Sequence, residues 1–74
     1  MTYVVAAINV PSGRFDEVQA DSKPGALFVA RHLSKQEAGV SFGAYEVRSD
    51  GAYLLASFLN GERRFTASSE QGQP

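Results

Sequence analysis

Two turn dipeptides, Asp50-Gly51 and Asn60-Gly61, sit inside the apolar stretch 40–67 and constrain this chain more than any other feature. A type I′ turn needs positive φ at both central residues, so these pairs between strand-forming runs predict hairpins. The stretch is read as three consecutive strands joined at Ser49-Asp50-Gly51 and Asn60-Gly61. Two-residue loops would pair Val47 with Leu54, Tyr45 with Ala56, and Ala56 with Phe65. Directly paired residues share a face. One face then holds Tyr45, Val47, Leu54, Ala56, Phe58, Phe65 and Ala67, and is assigned to the core. The other collects Phe42, Glu46, Arg48, Tyr53, Leu55, Ser57, Leu59, Glu62, Arg64 and Thr66, an apolar set for a surface. Gly43 marks a bulge or a close backbone approach, and a bulge would move Phe42 to the core face.

The β-branched run 2–10 reads as a strand. Pro11-Ser12-Gly13 suits a three-residue hairpin loop, with Pro at the first central position of a turn and Gly at the left-handed one. That loop pairs Ile8 with Asp16, Ala6 with Val18 and Val4 with Ala20, which segregates apolar from polar residues better than a two-residue loop. Val4, Ala6, Ile8, Val18 and Ala20 are then expected on the core face, with Tyr3, Val5, Asn9, Phe15, Glu17 and Gln19 opposite.

Asp21-Ser22 before Lys23-Pro24 is a helix start, a capping side chain followed by Pro in the first turn. Ala26, Leu27, Ala30, Leu33 and Ala38 recur at helical spacing, widened by Phe28 and Val29. Arg31, Ser34, Lys35 and Glu37 take the wet side, and Gly39 ends the helix. An amphipathic helix and a one-faced sheet must each bury their apolar side. The expected fold is an α+β two-layer domain, β-β-α-β-β-β, with a five-stranded, mostly antiparallel sheet in the order 2-1-3-4-5. One domain is expected over residues 1–67, with an apolar-free, frayed tail over 68–74.

Seventy-four residues and no cysteine leave neither a disulfide framework nor a thiolate metal site to supplement a small core. The net charge of −1 argues against a polybasic nucleic-acid binder and against a strongly acidic mimic of nucleic acid. The apolar opening, residues 3–10, is too short to span a bilayer and lacks the basic segment and cleavage site of a signal peptide. A soluble, unprocessed, cytoplasmic protein with no membrane association is expected.

The only histidine, His32, has Phe28, Val29, Lys35 and Gln36 at helical spacing and no carboxylate, so it is read as a surface residue. Asp50 belongs to a turn, Asp21 to a helix cap and Glu70 to the tail, and a flat sheet offers Glu17 and Glu46 no cleft. No phosphate-binding loop is present, and neither enzyme activity nor a cofactor nor a metal is expected. Tyr3, Phe15, Tyr53, Leu55 and Leu59, with Arg48, Arg63 and Arg64 beside them, have the composition of an interface. They are the expected partner-binding residues. A protein partner is the first expectation. A single-stranded nucleic acid stacked on the sheet, or a homodimer, is the alternative.

Residues 3–10, the helix after Asp21-Ser22, and the meander with Asp50-Gly51-Ala52-Tyr53 and Asn60-Gly61-Glu62-Arg63 together resemble small phage and mobile-element anti-CRISPR proteins. The resemblance is one of layout and covers most of the chain. It implies an inhibitor that binds an RNA-guided type I surveillance complex and obstructs target DNA, with no catalytic residue.

Overall fold

The helix starts at the Asp21-Ser22 pair as expected, but its cap is Ser22 and not Asp21. The Ser22 backbone is extended, and its Oγ accepts the Gly25 N–H at 3.1 Å, one of the donors a first helical turn cannot satisfy internally. Pro24 follows in the first turn, and the helix α1 runs over Lys23–Gln36. The computed structural model describes residues 2–11 and 13–67. Around α1 it places β1 (Thr2–Ala7), β2 (Val18–Ala20), β3 (Phe42–Arg48), β4 (Gly51–Leu59) and β5 (Glu62–Thr66). The sheet order is β2-β1-β3-β4-β5, with every neighbour antiparallel. This is the expected α+β architecture and strand order. The tail expected over 68–74 lies outside the described residues.

The Asn60-Gly61 turn forms as its sequence predicts. Both residues take positive φ, 54° and 82°, and Leu59 pairs with Glu62 across a two-residue loop. The other turn closes one residue earlier than expected. Arg48 pairs with Gly51, so Ser49 and Asp50 form the loop and Gly51 takes φ 143°.

The helix packs on the side of the sheet opposite to the one expected for most residues. Val5, Phe42, Ala44, Ala56 and Phe58 form the core with Ala26, Ala30 and Val40, and Tyr3, Ala7, Phe15 and Ala20 pack against it. Val4, Ala6, Tyr45, Val47, Leu54 and Phe65 lie by register on the other face, which no element among the described residues covers. Two bulges and one register shift cause the inversion. Between Ala44/Tyr45 and Ala56/Leu54, β4 carries Leu55 as an extra residue. Between Ser57/Phe58 and Phe65/Arg63, β5 carries Arg64 as an extra residue. An extra residue reverses the facing of everything beyond it. Ala56 and Phe58, on the near side of both bulges, therefore keep their expected core positions, while Leu54, Tyr45, Val47 and Phe65 do not. Phe42 lies in the core although β3 has no bulge at Gly43: its pairing with Phe58 is regular, and the extra residue is Leu55 of β4.

At the other edge, β1 and β2 pair Tyr3 with Ala20, Val4 with Gln19 and Val5 with Val18, one residue away from the expected register. No three-residue loop forms. The chain leaves the ladder after Ala7, and Phe15 turns inward to meet the Phe42 ring edge-on at 5.6 Å. The Ile8 N–H donates instead to Ser41 O at 2.9 Å.

On α1, Ala26 and Ala30 are buried as expected, but so is Ser34, and Phe28 is exposed; the helix ends at Gln36, so Ala38 lies beyond it, also exposed. Ser34 falls on the same stripe, four residues after Ala30. Its hydroxyl donates to Arg31 O at 2.8 Å and accepts the Gly61 N–H at 2.9 Å. Arg31 Nε donates to Gly61 O at 3.2 Å. The β4–β5 turn is thereby fastened to the third turn of the helix, and a side chain at Gly61 would run into the Lys35 stem. Just past the helix, Gly39 is held at both backbone groups. Its N–H donates to Asn60 Oδ1 at 3.2 Å, and its carbonyl accepts Asn9 Nδ2 at 3.0 Å. Asn9 Oδ1 also accepts the Ser41 N–H at 2.8 Å.

Candidate functional site

The residues expected to form a binding face do not form one. Tyr3 and Phe15 stand on the helix side, half-buried against the core. Leu55, the extra residue of its bulge, is 3% exposed. Leu59 lies half-buried on the uncovered side, across from Glu62. Arg63 lies on the helix side, its guanidinium 5.4 Å from the Phe58 ring. Arg64, the extra residue of β5, sits 3.7 Å from Glu62 in an exposed ion pair.

Arg48 and Tyr53 do meet, but mainly each other. Register places Glu46 opposite Tyr53, and Arg48 lies two residues further along the same side. The guanidinium stacks 4.4 Å from the Tyr53 ring, while Arg48 Nη2 donates to Glu46 Oε1 at 2.8 Å. The hydrogen bond and charge of Glu46 push the Arg48 pKa further up. Tyr53 donates its hydroxyl to Asp50 Oδ2 at 2.7 Å. That hydrogen bond, helped by desolvation and opposed by the Arg48 charge, raises the phenol pKa above 10.0. Glu46, 8% exposed, has its charge met by Arg48, which removes most of the cost of burying it. This cluster closes the end of the sheet and has its polar groups engaged internally.

The uncovered face offers what the expected set was meant to supply. Ile8, Val47 and Phe65 expose 42%, 39% and 46% of their surfaces. Val4, Ala6, Tyr45 and Leu54 lie among them, half-buried. Gly43 forms the floor. A Cβ there would meet Ile8 Cδ1 at 2.7 Å, Leu54 Cδ1 at 2.8 Å and Tyr45 Cε1 at 3.1 Å. These side chains, from β3, β4 and the residue following β1, close over the glycine. Sequence counting assigned all of them except Gly43 to the core. The doubled pairs Leu54-Leu55 and Arg63-Arg64, each breaking the period-two alternation of a strand, were the signal that pointed elsewhere.

A second surface lies on the helix side, at the sheet edge. Between α1 and β5 runs an open groove of about 630 Å³, floored by Leu27 and Phe58 and walled by Phe28, Arg31 and Arg63. Phe28 is 70% exposed and lies parallel to the His32 ring, with the centroids 6.1 Å apart.

Among the described residues, no three or more histidine, cysteine or acidic side chains gather as a metal site would require. No helix among them is long and apolar enough to cross a membrane. No protein-family model matches the chain, and neither a curated protein nor a solved structure matches it.

Proposed function

We propose that this chain is a non-catalytic binding domain that holds the uncovered face of its sheet against a partner protein, as an inhibitor or adaptor. The observation that carries the reading is the apolar surface around Ile8, Val47 and Phe65. Contiguous exposed apolar area of this kind marks contact sites on small domains. The centre of the face carries no lysine or arginine, whereas a nucleic-acid platform needs cations to meet phosphates. A protein partner is therefore favoured over a nucleic acid. An RNA-guided type I surveillance complex is the specific partner class that the anti-CRISPR-like layout suggests.

The test is capture from bacterial lysate by the tagged chain, with and without nuclease, beside the double variant Val47→Ser/Phe65→Ser. A stoichiometric protein retained after nuclease and lost by the variant supports the reading; a surveillance complex in that position supports its specific form. Recovery that requires intact nucleic acid overturns it, as does equal capture by the variant. A chain whose mass doubles with concentration, and falls back in the variant, would assign the face to self-association.

A further inference from the structure

We propose that the groove between α1 and β5 is a second binding site, one that takes an extended acidic peptide with an apolar anchor. The uncovered sheet face lies on the other side of the molecule, so this site is separate from it. Its floor is apolar, formed by Leu27 and Phe58, and Phe28 stands beside it at 70% exposure. A large aromatic ring left in water beside an apolar floor supplies the anchor pocket that peptide-binding grooves share.

The charge around the groove selects the ligand. Arg31, Lys35 and Arg63 border it and the smaller hollow beside Phe28, and none of the three has an ion-pair partner among the described residues. Among the described residues Glu62 is the one carboxylate lining the groove, and it lies 3.7 Å from Arg64 in an exposed ion pair. The chain as a whole carries −1, so this positive border is a local concentration that attracts carboxylates. Three cations are few for a nucleic-acid track, whose backbone phosphates dominate affinity. A peptide is the better fit.

The mode is side-chain docking rather than addition of a sixth strand. β5 is an edge strand, but its bulge at Arg64 and its two arginines interrupt the ladder a new strand would need.

The test uses the full chain and fluorescence anisotropy. The probes are a labelled eight-residue peptide of alternating glutamate and leucine, the same peptide with lysine for glutamate, and an eight-nucleotide oligothymidylate. The acidic peptide is expected to saturate and the other two are not. Phe28→Ala and Arg63→Glu, both at exposed positions and checked for folding by circular dichroism, are each expected to weaken it tenfold or more. Phe65→Ser, on the far face, is expected to leave the affinity within twofold, which separates this site from the sheet surface. Failure of the acidic peptide to saturate, unchanged affinity in both groove variants, or binding of the oligonucleotide in its place would overturn the proposal.

Discussion

Both faces of this sheet carry apolar side chains, and they have opposite fates. On the covered face the contacts with the helix are made largely by alanines: Ala44 pairs with Ala56, and Ala26 and Ala30 come down from α1 into the same cluster. Small residues let a helix approach a sheet closely, and the bulk is supplied around them by Val5, Phe42 and Phe58. The uncovered face has the reverse arrangement, with Ile8, Leu54 and Tyr45 folding inward over Gly43 and larger side chains left in water. Apolar character alone does not decide which side a helix takes. The fit between small and large residues does.

That contrast can be broken most sharply at Phe42, buried to 2% exposure on the covered face. Phe42→Ala is expected to cost about 3–5 kcal/mol, much of the roughly 4–11 kcal/mol available to a chain of this size. Urea unfolding followed by circular dichroism reads the loss. Ser34→Ala attacks the same side through polarity. It removes the acceptor of the Gly61 N–H, and a loss of about 1–3 kcal/mol is expected in the same assay. On the other face, Gly43→Ala forces the Ile8 and Leu54 tips aside at a cost of about 0.5–1.5 kcal/mol. It sharpens the comparison by disturbing the binding surface while leaving the core intact.

Phe65→Ser should change stability by no more than about 0.5 kcal/mol, because the ring is already half in water. A loss like that of Phe42→Ala would show that the two faces are not energetically distinct. Last comes the sheet end. The Tyr53 phenol is held protonated by Asp50, so its folded-state pKa lies above the unfolded value. The stabilisation is complete below pH about 10 and is lost as pH rises through the raised value. Tyrosinate absorbance should show one tyrosine titrating at lower pH in Asp50→Asn than in the parent chain.

The element order, the helix start at Asp21-Ser22 and the Asn60-Gly61 turn were legible because each rests on local backbone chemistry. Facing was not legible, because it is inherited along a strand from every residue before it. One uncounted residue at Leu55, one at Arg64 and one step of register between β1 and β2 were enough to turn most of the sheet over. β1 gave no help, since Val4 and Ala6 on one side are matched by Val5 and Ala7 on the other. Ser34 was misplaced for a different reason. Its hydroxyl was read as a sign of solvent, although its spacing from Ala26 and Ala30 already put it on the buried stripe. The candidate site suffered most, because a binding face is defined by facing alone.

The double grip on Gly39 bears on how the molecule opens. Asn9 reaches it across 30 residues of chain and Asn60 across 21, so the end of α1 is tied to the end of β1 and to the β4–β5 turn together. A helix terminus normally frays independently, exchanging its amide hydrogens at rates far above those of the core. Separating the Asn60 turn from the helix end releases the Gly39 amide. That separation also frees Gly61 from Ser34. The amides of Gly39 and Gly61 should therefore exchange with deuterium as one cooperative unit, at a common rate.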